Sequence, residues 1–79
     1  MKERWYRADF VADINGEEYY PDSEYYVATD DDDAIKYAQQ LAKQGWEYAD
    51  VDTHVNGELV SVTLVDDENE FVDVKTIWI

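Results

Sequence analysis

Cysteine is absent from this chain, so neither a disulfide framework nor a thiolate site can form. Small secreted domains usually need such staples, and their absence leads us to expect a cytoplasmic protein. Histidine occurs once, at His54, and glycine only three times, which leaves no Gly-rich phosphate loop. No apolar run approaches the length of a membrane span. The start, Met1-Lys2-Glu3-Arg4-Trp5-Tyr6-Arg7, has no apolar stretch behind its charges and does not read as a signal peptide. Cations are the scarcest group of all: six Lys and Arg stand against twenty Asp and Glu, a net charge of −14.

What is present is enough to fold. The 79 residues suffice for a single domain, 1–79, and 46% of them are hydrophobic and 15% aromatic. That is too apolar for the disorder expected of low hydrophobicity joined to high charge. The charge is unevenly placed. Lys2, Arg4 and Arg7 share the first ten residues with only Glu3 and Asp9, and from residue 11 onward eighteen acids face three bases. Such density repels itself in the compact state, so folding does not require it. It opposes nucleic acid and anionic membranes and attracts proteins with basic grooves.

Residues 5–14 alternate, with Tyr6, Ala8, Phe10, Ala12 and Ile14 on one face and Trp5, Arg7, Asp9, Val11 and Asp13 on the other. Period two predicts a half-buried strand. Asn15-Gly16 supplies a tight hairpin turn, because both positions tolerate positive φ. A second strand starts near Glu17, is interrupted at Pro21, and resumes over 24–29. Thr29 or Asp30 then caps a helix over 31–44, whose apolar stripe is Ala34, Ile35, Ala38, Leu41 and Ala42. Lys43 suits the last turn and Gly45 the C-cap. The alternation over 46–55 predicts a third strand, closed by a second Asn-Gly turn at Asn56-Gly57. A nearly all-apolar strand over 58–65 is expected to be central, and after an acidic turn a fifth strand runs over 70–79. The order ββαβββ predicts an α+β fold, with one helix across a mainly antiparallel sheet of four to five strands.

Catalysis finds few candidates. Ser23 and Ser61 lie in strand contexts without a glycine-flanked elbow, and His54 reads as a solvent-facing strand residue beside Asp52. Carboxylate pairs are too abundant to be informative, and a deep cleft needs more volume than this chain has. We therefore expect no enzyme and no cofactor. An EF-hand count from Asp52 places His54 third, Asn56 fifth and Gly57 sixth, but Thr63 stands twelfth where a bidentate Glu is needed. Direct nucleic-acid binding fails on the sign of the charge.

The acids offer another use. Duplex DNA carries one phosphate per ~3.4 Å of rise on each strand. Carboxylates at alternate strand positions lie roughly 6.6 Å apart on one face. Asp50 with Asp52, and Asp66, Asp67, Glu68 and Glu70 at the next turn, are candidates for a row of anions. Asp30, Asp31, Asp32 and Asp33, with Asp22 and Glu24, would extend it. Tyr19, Tyr20, Tyr25 and Tyr26 flank Pro21, and because strand neighbours face opposite ways, one of each pair, Tyr20 or Tyr25 among them, is expected at the surface as an interface anchor.

The segment Tyr26-Val27-Ala28-Thr29-Asp30-Asp31-Asp32-Asp33-Ala34-Ile35, continued at Gly45-Trp46-Glu47-Tyr48, resembles the strand, acidic cap, helix and Gly-Trp step of some anti-CRISPR inhibitors, small acidic proteins of phages. The likeness covers about a third of the chain, and such inhibitors share no signature motif. It implies a DNA mimic, monomeric or dimeric, that works in the bacterial host cytoplasm. Its partner would be a basic nucleic-acid-binding protein, a CRISPR effector subunit whose Arg and Lys read DNA. It does not explain the basic start at Arg4 and Arg7. Three other readings stay open: an antitoxin-like or regulatory module covering another basic protein, acidity that serves solubility alone, and a calcium-binding domain.

Overall fold

The computed structural model describes residues 2–14, 16–48, 53–55 and 57–79, with 46–48 and 53–55 described by backbone alone. The chain forms β1 (Arg4–Ile14), β2 (Glu17–Tyr19), β3 (Glu24–Ala28), α1 (Asp31–Gln44), β4 (Trp46–Tyr48), β5 (Thr53–Val55), β6 (Gly57–Asp66), a 3-10 turn (Asp67–Asn69) and β7 (Val72–Trp78). Five strands make one antiparallel sheet in the order β2-β1-β6-β7, with β3 also paired to β1. The fold is α+β, as the sequence predicts, with one helix on this sheet.

Alternation in β1 directs the packing. Tyr6, Ala8 and Phe10 are buried beneath the helix, joined by Tyr26 from β3 and by Val62 and Leu64 from β6, and Ala12 is buried further along β1. The helix answers with Ala34, Ala38 and Ala42, and Ile35 and Leu41 border the contact. Small side chains on that stripe allow the helix to lie close to the large rings of Tyr6 and Phe10. The Tyr26 hydroxyl donates to the Ala34 carbonyl at 2.6 Å, so a buried phenol keeps a partner. Burial pushes its pKa above the ordinary phenol value.

Local chemistry sets the ends of the helix. Asp30 is the N-cap, accepting from the Asp33 backbone N–H at 2.8 Å, and Thr29 donates to the Asp33 carboxylate at 2.6 Å. Gly45 closes the other end at φ +72°, a conformation that glycine adopts without steric cost. At the first hairpin Ile14 pairs with Glu17, and Gly16, at φ +86°, donates its N–H to Asp13.

One expectation is met and one is corrected. The interruption expected at Pro21 is there: β2 pairs with the Ala12 end of β1 and β3 with its Arg4 end, and residues 20–23 lie between them. Proline has no N–H to donate to the ladder, so Pro21 marks the break. The strand expected over 46–55 is instead β4 and β5 paired with each other, Trp46 to Val55 and Tyr48 to Thr53, in a separate two-stranded sheet. Alternation does not distinguish one long strand from two short ones folded together. Asn56 lies outside the described residues, and Gly57 opens β6, which pairs with β1 and β7, so β6 is central as expected.

Candidate functional site

The register of β1 decides which acids meet. Arg4 stands opposite Ala28 of β3, and Trp5 opposite Val65 of β6. The first residues, the β3–α1 junction and the β6–β7 turn therefore come together at one end of the sheet. Glu3, Asp30, Asp31, Asp32, Asp33, Asp66, Asp67, Glu68 and Glu70 gather there, against the cations Lys2, Arg4 and Lys75. One groove is lined by Lys2, Arg4, Trp5, Asp66, Asp67 and Glu68, and a second by Arg4, Tyr6, Asp30, Asp31, Asp32 and Lys75. Arg4 borders both and ties the two acidic segments into one surface.

These carboxylates do not share one role. Asp31 receives the Lys75 ammonium at 2.5 Å and the Tyr6 hydroxyl at 2.9 Å. The hydrogen bond from Lys75, then that from Tyr6, holds its carboxyl below the usual range. Burial, followed by the hydrogen bond to Asp31, pushes the Tyr6 phenol up to about 12. Asp30 caps the helix, and Asp66 caps the 3-10 turn by accepting from the Glu68 N–H at 3.1 Å. Asp32, Asp67, Glu68 and Glu70 are exposed and carry the outward charge of this end.

The face away from the helix explains part of the basic start. Arg7 holds Asp73 through two nitrogens, at 2.7 and 3.3 Å, and Asp9 at 3.3 Å. The hydrogen bond that Arg7 donates to Asp73 raises its pKa above the ordinary arginine value. Arg7 is thus neutralised inside the fold, beside the buried Ser61 and Thr63. Tyr25 lies on the same face, where Phe71 packs between it and Trp5 at ring distances of 5.0 and 5.5 Å. Glu70 and Phe71 both take left-handed backbone, φ 57° and 59°, which turns the Phe71 ring back over the sheet. Sequence reading missed Phe71 and the ion pairs of Arg7, since only the fold brings residues 7 and 73 together.

The remaining candidates lie elsewhere. Tyr20, Asp22 and Glu24 are on the β2–β3 edge with Glu17 and Glu18, where the Tyr20 hydroxyl donates to Glu18 at 3.2 Å. Glu24 is level with Ala8, roughly 13 Å along β3 from the acidic end at ~3.3 Å per residue. Asp50 and Asp52 lie outside the described residues, as do Asp52 and Asn56 of the calcium count. Among the described residues no three His, Cys, Asp or Glu side chains converge to hold a metal ion, and no helix is long and apolar enough to cross a membrane. No family model, curated protein or solved structure matches the chain.

Proposed function

We propose that this protein is a non-catalytic, acidic inhibitor that occupies a basic nucleic-acid-binding surface in place of DNA, with a CRISPR effector in the bacterial cytoplasm as its target. The observation that carries the reading is the patterning of the acids. Nine carboxylates from three separate segments meet at one end, whereas the helix from Ala34 to Gln44 holds two lysines and no acid. Acidity that served only solubility has no reason to leave that surface bare. Dimensions agree: the body measures 41 × 22 × 20 Å, a length that matches roughly a dozen base pairs at ~3.4 Å each. Opposite charge would steer association and make it weaken as salt rises.

A second reading has its own support. Among the described residues most of the exposed acids fall into two clusters, the sheet end and the β2–β3 edge, rather than one row at phosphate spacing. Such clusters also suit a basic partner that never binds nucleic acid, as an antitoxin-like or regulatory module would.

One experiment separates the two. Tagged protein is used to capture partners from the lysate of a CRISPR-bearing bacterium, with and without excess duplex DNA. A nucleic-acid-binding complex that is recovered, then lost on adding DNA, supports mimicry; a partner retained despite DNA supports the second reading. Replacing Asp32, Asp67, Glu68 and Glu70 with lysine is expected to abolish capture and inhibition. These are the right positions because Asp30, Asp31, Asp33 and Asp66 hold the helix and turn in place. Unchanged potency in the lysine variant sinks the charge-based mechanism.

A further inference from the structure

The two edges of the sheet are protected very differently. On the β2–β3 side the edge is broken at 20–23, contains Pro21, and exposes Glu17, Glu18 and Glu24. Short strands, proline and charge are the usual devices against unwanted strand pairing. On the other side β7 is a seven-residue strand whose only kink is a bulge near its start, opposite Leu64 and Val65. Its exposed apolar residues are Val72, Val74 and Trp78, continued by Ile79, with Trp78 74% exposed. Its two charged residues do not guard it. Asp73 is taken by Arg7 and Lys75 by Asp31.

The backbone of this edge is open past the bulge. Ile79 donates its N–H to the Val60 carbonyl at 3.0 Å, so residues 75, 77 and 79 turn their backbone groups toward β6. Strand alternation then points the N–H and C=O of Thr76 and Trp78 away from the sheet. The surroundings define what can bind there. The acidic turn with Asp66, Asp67, Glu68 and Glu70 leads directly into β7. The Lys75–Asp31 pair, and the groove that Lys75 lines with Asp30 and Asp32, bring these acids beside the middle of the strand. A second copy of the chain would bring another −14 of charge to this edge, whereas a cationic segment would be attracted to it.

We infer that β7 is a docking edge to which an extended segment of a basic partner, alternating apolar and cationic residues, adds as a further antiparallel or parallel strand. Main-chain bonds to Thr76 and Trp78 would hold the segment, and the carboxylates at the strand's start would select its charge. This inference rests on the reading of a basic partner and specifies how that partner is held.

The test uses the full chain with two capped peptides, one alternating lysine and valine and the other glutamate and valine, followed by amide exchange and sedimentation. With the lysine peptide, exchange at Thr76 and Trp78 is expected to slow about tenfold, as newly bonded amides do. The glutamate peptide should leave it unchanged. The Trp78→Pro variant should lose the protection, since it removes an outward N–H and no bond to β6. If the lysine peptide perturbs only the acidic turn and helix start, strand addition is wrong while the basic-partner reading stands. Absence of protection with either peptide overturns the inference as well. A concentration-dependent dimer that Trp78→Pro dissociates would show that a second copy, not a basic partner, occupies the edge.

Discussion

Tyr6 enters the core from β1 with 1% of its surface exposed, and its hydroxyl emerges at the Asp31 carboxylate, which Lys75 of β7 meets from the other side. Three elements distant in sequence are thereby fastened at the end where the acids collect. The hydrogen bonds from Lys75 and Tyr6 outweigh the opposing effect of burial and hold the Asp31 pKa below the ordinary carboxylate value. A depressed pKa contributes stability above the unfolded value, near ~3.9 for Asp, and loses it as pH falls through the folded value. Asp31→Asn is therefore expected to be less stable than the parent by about 0.5–1 kcal/mol at neutral pH, kept small because this side chain is partly solvated. Below the folded value the two proteins should unfold alike. Urea denaturation at neutral pH and again near the acid limit measures the difference. A gap that persists undiminished in acid would assign the loss to packing rather than to charge.

At the scale of elements, the sequence was readable wherever one local signal had one structural outcome. Asp30 and Gly45 bound the helix because capping chemistry admits few residues, and Ile14 of β1 pairs with Glu17 of β2 at the two-residue spacing a tight turn requires. The stretch from Trp46 to Val55 was not readable, because alternating residues support either a long strand or the β4–β5 pair, and the choice lies with tertiary contacts. The same limit applied at Pro21, which announced a break but not that both halves would share one edge of β1. Packing of the helix depends on its alanines. Ala38 is fully buried against the sheet, so Ala38→Leu is expected to lose about 1–3 kcal/mol through overpacking. Lys36→Ala on the exposed surface should change stability by less than about 0.5 kcal/mol. Urea midpoints of the two variants check this, and equal midpoints would mean that the helix does not lie as close to the sheet as Ala38 indicates.

For the whole molecule, the sequence supplied the quantity of acid but not its arrangement. The segments that carry Asp31 and Asp66 share one end only because Trp5 of β1 places Val27 and Val65 at one level, and Lys75 finds Asp31 across 44 positions of chain. The sequence offers Asp30 as a cap but does not separate Asp31, Asp32 and Asp33 from one another, whereas hydrogen bonds from backbone, tyrosine, lysine and threonine commit Asp30, Asp31 and Asp33 to the fold. What remains is an excess of exposed carboxylates, which has opposite consequences for folding and for binding. Within the free protein these charges repel one another, and salt screens them over a Debye length that shrinks from ~30 Å at 0.01 M to ~3 Å at 1 M. Toward a basic partner they attract, and the same salt weakens that attraction. The melting temperature is accordingly expected to rise between low and high sodium chloride while partner capture falls. Thermal unfolding and capture over one salt series test both at once. A melting temperature that falls with salt would mean that the favourable pairs of Arg7 and Lys75 outweigh the repulsion, and the argument that the acidity is held against stability for the sake of a partner would fail.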